Sequence, residues 1–289
     1  MTFVRHTPPI ISDAQIVAFA DGVETPHSAT LLKESILANQ YGKYSLPTGL
    51  WVGETNGERH LLKRANVTEA FVTDTGKLDL WQLFRPGDKL HYVEPHIKLT
   101  VTTLTVGTTV TIEIGDYSDV FTFAGTEGST VEDAAAELVQ FLNVQSPSLS
   151  AKVKALQDGA DVHVFAADGY TAHVVALTTA GTVALDPAGG TMATSLEVGT
   201  IQNISNLPES AGEVTLTGAA TNPAPLGAKV GVPAGRVLGF INKSLDMTYS
   251  DRCHVALISA ASGIREGRLP YVDGDIKRQL PKLNIQRRF

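Results

Sequence analysis

Short runs of alternating apolar and polar residues, rich in Val and Thr and separated by Gly, Pro, Asn and Asp, recur along most of this sequence. This pattern is typical of β-strands joined by turns. It predicts a mainly β protein, α+β overall because one segment has a strong helical period. Outside the middle of the chain we predict strands at residues 49–52, 60–62, 70–72, 89–93, 200–204, 213–217, 236–241 and 253–258.

The middle of the chain, residues 99–195, has a different composition, because charged residues become rare while Ala, Thr and Val multiply. Residues 109–114 alternate, residues 116–119 (Asp-Tyr-Ser-Asp) are typical of a turn, and residues 120–124 alternate again. These features predict a β-hairpin at the start of a separate unit.

A capped helix follows this hairpin. Thr130 is suited to the N-cap position, Asp133 stands three residues later as in a capping box, and apolar residues recur with helical spacing up to Leu142. Further strands are predicted at residues 151–155, 161–166 and 173–177, with a turn at Asp158-Gly159. The unit therefore reads β-β-α-β-β-β, as one sheet of about five strands with a single helix across one face.

The flanking regions are interpreted as one β-barrel or β-sandwich body, residues 31–98 plus 196–262, split by the inserted unit 99–195. The strand that ends near Val93 and the strand that begins near Val198 are expected to pair as a hairpin, which would bring the two ends of the insertion close together. Residues 1–30 are predicted to form an extended N-terminal arm. Residues 207–233 are read as surface loops around one hairpin, because Pro, Gly and Asn cluster there.

Residues 263–289 form a basic C-terminal arm with a predicted short helix from Asp273 to Leu280. From residue 265 onward, seven basic and three acidic residues give a charge of +4, which leaves −11 for the rest of a chain of net charge −7. We expect this arm to lie on a neighbouring subunit rather than on its own barrel, and its deletion to leave a soluble folded body. Its candidate partner contacts are Arg265, Arg268, Leu269, Ile276, Lys277, Arg278, Leu280, Lys282, Arg287, Arg288 and Phe289.

Composition excludes several classes of protein. The acidic balance argues against a duplex-binding surface, which needs a basic excess. One cysteine, Cys253, excludes an intramolecular disulfide framework and a cysteine-rich zinc module. The apolar runs are too short to predict a transmembrane helix, and the N-terminus lacks the pattern of a secretory signal, so we expect a protein made in a reducing cytoplasm.

No motif predicts catalysis. The Gly-rich residues 125–130 lack the Lys of a phosphate loop and fit a turn into the helix. Glu94 and His96 share a strand face but do not complete a metal site, and His163 and His173 fit a pair of partly exposed sheet histidines. Consecutive strand residues point to opposite faces, so Cys253 and His254 cannot form a dyad, and Cys253 is expected to be a small buried residue. We therefore predict no enzyme activity, cofactor or metal.

Several segments resemble the small β-barrel of head decoration, or cement, proteins of tailed bacteriophages. They are residues 46–69 with a Leu-Pro-x-Gly rhythm, residues 84–90 with a Gly-Asp-Lys-Leu strand start, and residues 198–217 with Val-Gly-Thr-Ile followed by Val-Thr-Leu-Thr. The ending, with Leu269-Pro270, a short helix and Leu280-Pro281, is similar to the closing segment of such virion proteins. The inserted unit resembles β-β-α-β-β modules added to phage head and tail proteins.

The resemblance implies a non-enzymatic protein of the phage head surface, assembled in the bacterial cytoplasm. Its implied partners are the major capsid protein and neighbouring copies of itself, with a trimer as one arrangement, while nucleic acid and membranes are not expected as partners. A tail, baseplate or neck component is the first alternative, because similar modules occur there. A glycan-binding fibre module is the second, with Trp51 and Trp81 as candidate aromatic platforms, although tryptophans in apolar strands more often lie in the core.

Overall fold

The computed structural model describes residues 17–19, 27–103, 106–126, 128–178 and 182–286. The fold is mainly β, as predicted, with 44% strand and 15% helix. The strands of the described residues are β1 (Val17–Phe19), β2 (His27–Leu32), β3 (Ser45–Leu46), β4 (Trp51–Thr55), β5 (Glu58–Leu61), β6 (Arg64–Glu69), β7 (Thr75–Leu78), β8 (Lys89–Tyr92), β9 (His96–Val101), β10 (Thr109–Ile114), β11 (Tyr117–Thr122), β12 (Val153–Asp158), β13 (Asp161–Ala166), β14 (Val175–Thr178), β15 (Val183–Asp186), β16 (Glu197–Ile204), β17 (Glu213–Leu216), β18 (Lys229–Gly231), β19 (Arg236–Ile241), β20 (Leu245–Asp246), β21 (Arg252–Ile258), β22 (Ala261–Arg265) and β23 (Leu283–Gln286).

Helices are short. The α-helices of the described residues are α1 (Val131–Gln140), α2 (Pro147–Ser150) and α3 (Gly274–Gln279), and a π-helical segment, Phe141–Gln145, extends α1. Single 3-10 turns are found at Lys33–Ser35, Trp81–Leu83, Pro208–Ser210 and Glu266–Arg268. The capping box predicted at the start of α1 is confirmed, because the Thr130 hydroxyl accepts from the Asp133 backbone N–H and the Asp133 carboxylate accepts from the Thr130 N–H.

A six-stranded barrel forms one part of the body. Its strands follow the order β16-β17-β7-β6-β18-β8, and β8 pairs with β16 to close the ring. This antiparallel pair, with Glu197 opposite His91, is the junction predicted between the two halves of the body. Inward-facing positions alternate along β7, β8 and β17 and are buried, which is the period expected of strands with one face in a core.

A five-stranded antiparallel sheet, in the order β2-β21-β19-β4-β5, shares one hydrophobic core with the barrel. Strands β4 and β5 are joined by Asn56 and Gly57, both with positive φ, as a two-residue type I′ hairpin requires. Because β2 belongs to this sheet, residues 27–30 are part of the body and not of an extended arm. Residues 1–16 and 20–26 of the predicted arm lie outside the described residues.

Two of the predicted segments, a strand and a loop region, need correction. At residues 70–72 there is only a single bridge, between Phe71 and Ala224, because β6 has already ended at Glu69. Residues 207–233 contain two strands, β17 and β18, which occupy different places in the barrel and do not form a hairpin with each other.

The inserted region has a second hydrophobic core, whose buried residues run from Ile97 to Met192. It contains two sheets, β11-β10-β14 and β12-β13-β9-β15, rather than the single five-stranded sheet predicted. The prediction missed β9 and β15, and it placed the boundary at residue 99, inside β9. Strand β9 lies between β13 and β15 and pairs with both, so it is an interior strand of the larger sheet. Helix α1 packs against β9, β12 and β13.

Candidate functional site

The predicted partner contacts lie on the C-terminal segment, which crosses the chain's own body. Strand β22 pairs with β1 on one side and β23 on the other. Helix α3 lies between β22 and β23 in the sequence. The Asp273 carboxylate caps this helix by accepting from the Ile276 N–H at 2.8 Å. The short helix predicted here is therefore confirmed.

The apolar residues of this segment are buried in the body's own core. Leu269, Ile276 and Leu280 belong to the same hydrophobic cluster as the barrel and the five-stranded sheet. The Trp51 indole N–H donates to the Tyr271 carbonyl at 2.5 Å, and the Val237 backbone N–H donates to the Gln279 side chain at 2.8 Å. The expectation that this segment needs a neighbouring subunit for its apolar side chains is thus wrong, because they find partners within the chain.

An ion cluster fixes α3 to the barrel. Buried Arg64, on β6, donates one terminal nitrogen to Asp273 and the other to Asp275, the latter at 2.8 Å. Burial opposes the charge of Arg64, but the two carboxylates outweigh it and hold its pKa above the ordinary value. Burial would raise the pKa of Asp275, yet hydrogen bonds from Arg64, Gln279 and Arg278 lower it. Arg64 and Asp275 are therefore both charged at neutral pH.

The charged candidates have a different environment from the apolar ones. Arg268, Arg278 and Lys282 are exposed, whereas Lys277 is half-buried and pairs with Glu266 at 3.0 Å. Arg278 also donates to Asp275 at 2.6 Å. The structure describes the backbone of Arg265 but not its side chain, and Arg287, Arg288 and Phe289 lie outside the described residues.

Glu94 joins three parts of the chain at one buried carboxylate. It accepts from Lys154 of β12 in the inserted region and lies 3.2 Å from the Lys229 ammonium of β18 in the barrel. Lys229 donates in turn to the Val272 carbonyl, at 2.6 Å, just before α3. The inserted region, the barrel and the C-terminal segment are thus tied together at this point.

Two histidines meet in the interior, and they are not the pair predicted. The His96 Nε2 and the His163 Nδ1 are 2.9 Å apart, while His173 is only half-buried and lies elsewhere. Tyr92 stacks on His96 at 4.4 Å between ring centroids. Burial lowers the pKa of His96 to about 3, with His163 and Lys98 adding to the effect. Burial likewise lowers the pKa of His163 to about 4, so both rings are neutral at physiological pH.

The remaining candidate residues are Cys253 with its neighbour His254, and the two tryptophans Trp51 and Trp81. Cys253 faces the core side of β21 and is half-buried, more open than expected, while His254 is exposed on the opposite face and pairs with Thr30 at 2.8 Å. Trp51 and Trp81 are both buried, so neither offers a ring to a glycan at the surface.

A cleft of about 400 Å³ lies between the barrel, the inserted region and α3, with Arg64, His91, Tyr170, Ser195 and Asp275 among its lining residues. His91 Nδ1 lies 3.2 Å from the Ser195 hydroxyl and 3.3 Å from the Ser195 carbonyl. When Nδ1 donates to that carbonyl it carries a proton and cannot accept one from the hydroxyl. In this arrangement, the contact positions the two residues but does not activate the serine as a nucleophile.

Within the residues that the structure describes, no three His, Cys, Asp or Glu side chains are grouped as metal ligands would be. None of the helices in the same residues has the length and apolar character required to cross a membrane. No protein-family model matches this sequence, and no curated protein matches it significantly.

Proposed function

We propose that this protein is a structural component of a tailed-bacteriophage virion, and more specifically a decoration protein that binds the outer surface of the major capsid protein shell. The sequence resemblance to phage cement proteins supports this proposal, and so does a mainly β fold with a barrel and an inserted region. The role proposed for the protein is to bind neighbouring capsid subunits, together with other copies of itself, and so to stabilise the head.

The arrangement of the C-terminal segment is the observation that carries the proposal. Its apolar side chains anchor it to the chain's own core, while Arg268, Arg278 and Lys282 remain at the surface. This local cationic surface belongs to a chain of net charge −7. A cationic surface on a fixed backbone is suited to an acidic partner surface, because the backbone that carries its charges is already ordered before binding.

A tail, baseplate or neck component remains the alternative, since the same surface would serve there equally well. A glycan-binding module is less well supported, because the two tryptophans on which that hypothesis depended are in the core.

Capsids from which the protein has been removed provide the test. The wild-type chain should rebind them, and the double variant Arg268→Glu, Lys282→Glu should bind less, with the largest loss at low salt because exposed charges are screened as salt rises. Lys243→Glu, which reverses an exposed charge outside the segment, is the matched control and should bind like wild type. Full occupancy by the double variant would overturn the role of this surface, and binding to purified tails but not to heads would favour the alternative.

A further inference from the structure

The inserted region packs one face of its larger sheet on the body. Neighbouring residues of β13 belong to different cores, because Val164 is buried in the core of the inserted region and Phe165 in the core of the body. Successive strand residues point to opposite faces of a sheet. Leu156 of β12 also packs against the core of the body. We call the face of the sheet that carries Leu156 and Phe165 the contact face.

The buried histidine pair lies on the contact face. His163 stands two positions before Phe165 on β13, and His96 of β9 is the register partner of Phe165. The His96 ring centroid lies 4.4 Å from that of Tyr92, on the barrel strand β8, and 4.9 Å from that of Phe165. The contact between the inserted region and the barrel therefore encloses the pair, and separation of the two would bring its rings to water.

The enclosed pair has no place for an added proton. The neutral rings share one hydrogen bond, between His96 Nε2 and His163 Nδ1 at 2.9 Å. The two outer nitrogens, His96 Nδ1 and His163 Nε2, are buried and have no hydrogen-bond partner among the described residues. A first added proton creates a buried N–H without an acceptor, and a second sets two N–H groups against each other in place of the shared bond. Protonation therefore favours a state in which water solvates the rings.

The charged groups around the pair do not reverse this preference. Lys98 of β9 disfavours protonation of both rings, and Asp161 of β13 favours protonation of His163. Lys98 itself lies 3.6 Å from Asp161 and 3.5 Å from Asp186 of β15. The other titratable groups on elements that pack here are Tyr92 of β8, Glu94 before β9, Lys154 and Asp158 of β12, and Lys229 of β18. Burial prevails over all of them and lowers the pKa of both histidines.

Two short segments join the inserted region to the barrel. His91 pairs with Glu197 in the barrel, and a bridge between His96 and Ala193 stands at the base of the inserted region. The chain passes between these two pairs through residues 92–95 and 194–196. The inserted region also has a hydrophobic core of its own. Rotation about the two segments would separate two packed units without unfolding either of them.

We propose that the histidine pair is an acid-sensitive switch: when both rings take up protons, the inserted region separates from the barrel while each unit keeps its own core. The separated state places the charged rings in water, so acid lowers the free energy of separation. At neutral pH the closed state is favoured, because the rings are uncharged and Glu94 links Lys154 of the inserted region to Lys229 of the barrel. The switch depends only on this chain, so it is independent of the virion proposal.

Thiol labelling of the full-length chain tests the switch. In a Cys253→Ala background, Phe165→Cys places a thiol on the contact face, and Val164→Cys places one in the core of the inserted region. The probe is a pyridyl disulfide, which reacts with thiols at acid as well as neutral pH, and each rate is divided by that of the same variant unfolded in urea at the same pH. From pH 7 to pH 5 the corrected rate at position 165 should rise about a hundredfold or more, because each ring adds up to about tenfold per pH unit below its ordinary pKa. At pH 5 position 165 should react at least about tenfold faster than position 164, whose core stays closed.

Further variants connect the rise with the histidines. The double substitution His96→Gln, His163→Gln in the Phe165→Cys chain should remove most of the rise, whereas His254→Gln, at an exposed strand position, should leave it unchanged. If thermal melts show that Phe165→Cys does not fold, Leu156→Cys reports on the same face from β12. Equal rates at positions 164 and 165 would overturn the proposal, because the contact face would then open only when the inserted region unfolds. A rate at position 165 that does not rise at pH 5, or a rise that persists in the double glutamine variant, would overturn it as well.

Discussion

Gly169 and Gly274 touch backbone to backbone, one in the inserted region and the other at the first position of α3. A Cβ on Gly274 would lie 2.5 Å from the Gly169 Cα and 2.2 Å from the Asp168 carbonyl oxygen. No side chain separates the two elements here, so the inserted region and the C-terminal segment are fitted to each other at the level of the main chain. Together with Glu94, this contact sets where the inserted region sits on the body.

Gly274→Ala should destabilise the protein by about 1–3 kcal/mol, the usual cost of overpacking, although alanine is the better helix former. The backbone atoms that a Cβ would meet cannot rotate away, so α3 or the turn at Gly169 must move. Urea unfolding is the measurement. Gly267→Ala is the matched control, because nothing lies within 4 Å of a Cβ at that position. Equal stability of the two variants would show that the contact yields without cost.

Acidification should destabilise the fold through the His96 and His163 pair. In the unfolded chain both imidazoles take up a proton near pH 6.5, whereas in the folded chain they resist until about pH 3 and 4. The stability that comes from keeping both rings neutral is therefore fully present above pH 6.5, and it is lost as the pH is lowered. Each histidine should add a slope approaching about 1.4 kcal/mol per pH unit.

Urea unfolding between pH 8 and about pH 5, where most carboxyl groups stay ionised, measures this slope. His163→Gln removes one of the two titrations and should make the slope shallower, while His254→Gln, an exposed strand residue, should not change it. A slope that is the same in all three proteins would contradict the assignment. Groups facing the pair include Lys98, which disfavours protonation of both rings, and Asp161, which favours protonation of His163.

Glu94→Gln should cost about 1–3 kcal/mol, because it leaves Lys154 and Lys229 beside a neutral group while keeping the shape of the side chain. The value stays below that of a fully buried pair since both ammonium groups have some access to water. Glu69→Gln breaks the surface pair with Lys77 and should leave the unfolding free energy close to that of the wild type, because water screens an exposed pair. Similar effects of the two substitutions in urea unfolding would show that Glu94 is not a structural junction.

Local signals allowed much of the secondary structure to be predicted. The cap and apolar period of α1 lie within about a dozen residues, and the strands at residues 161–166 and 236–241 match β13 and β19 at both ends. The Asn56-Gly57 hairpin also carries a local signal, because Asn-Gly is the commonest pair in a two-residue type I′ turn, although no hairpin was predicted there. Such features depend on neighbours in sequence, so one sequence is enough to find them.

The buried clusters could not be predicted in the same way. Arg64 and Asp273 are 209 positions apart, and His96 and His163 are 67 apart, so only the folded chain brings them together. The packing of the C-terminal segment on its own body was missed for a related reason. Its apolar residues predicted burial, but nothing in their spacing says whether the covering surface belongs to the same chain or to another.

The inserted region should fold by itself only if β9 is kept whole. A fragment of residues 99–195, as the sequence boundary suggests, lacks His96, Ile97 and Lys98, which pair with β13 in the interior of the larger sheet. We expect a fragment of residues 95–193 to melt cooperatively and the 99–195 fragment to lose that transition. Circular dichroism during heating distinguishes them, and a 95–193 fragment without a cooperative melt would contradict an autonomous unit.

Deleting residues 266–289 should prevent stable folding, contrary to what the sequence suggested. The deletion strips Leu269, Ile276 and Leu280 from the core, and it leaves Arg64 buried without its carboxylates. Together these losses exceed about 5 kcal/mol, the lower end of a typical domain's stability.

Binding experiments on the C-terminal segment therefore need variants that remove fewer residues or change single side chains. Removal of residues 287–289 takes away two arginines and leaves every described contact of the segment in place, so its melting temperature should stay close to that of the wild type. The same holds for Arg268→Glu and Lys282→Glu, since substitutions of exposed residues usually change stability by less than about 0.5 kcal/mol. Thermal melts of these variants beside the 266–289 deletion make the comparison. A deletion variant that melts like the wild type would mean that the segment is not part of the core, and the anchoring on which the proposed capsid contact depends would have to be abandoned.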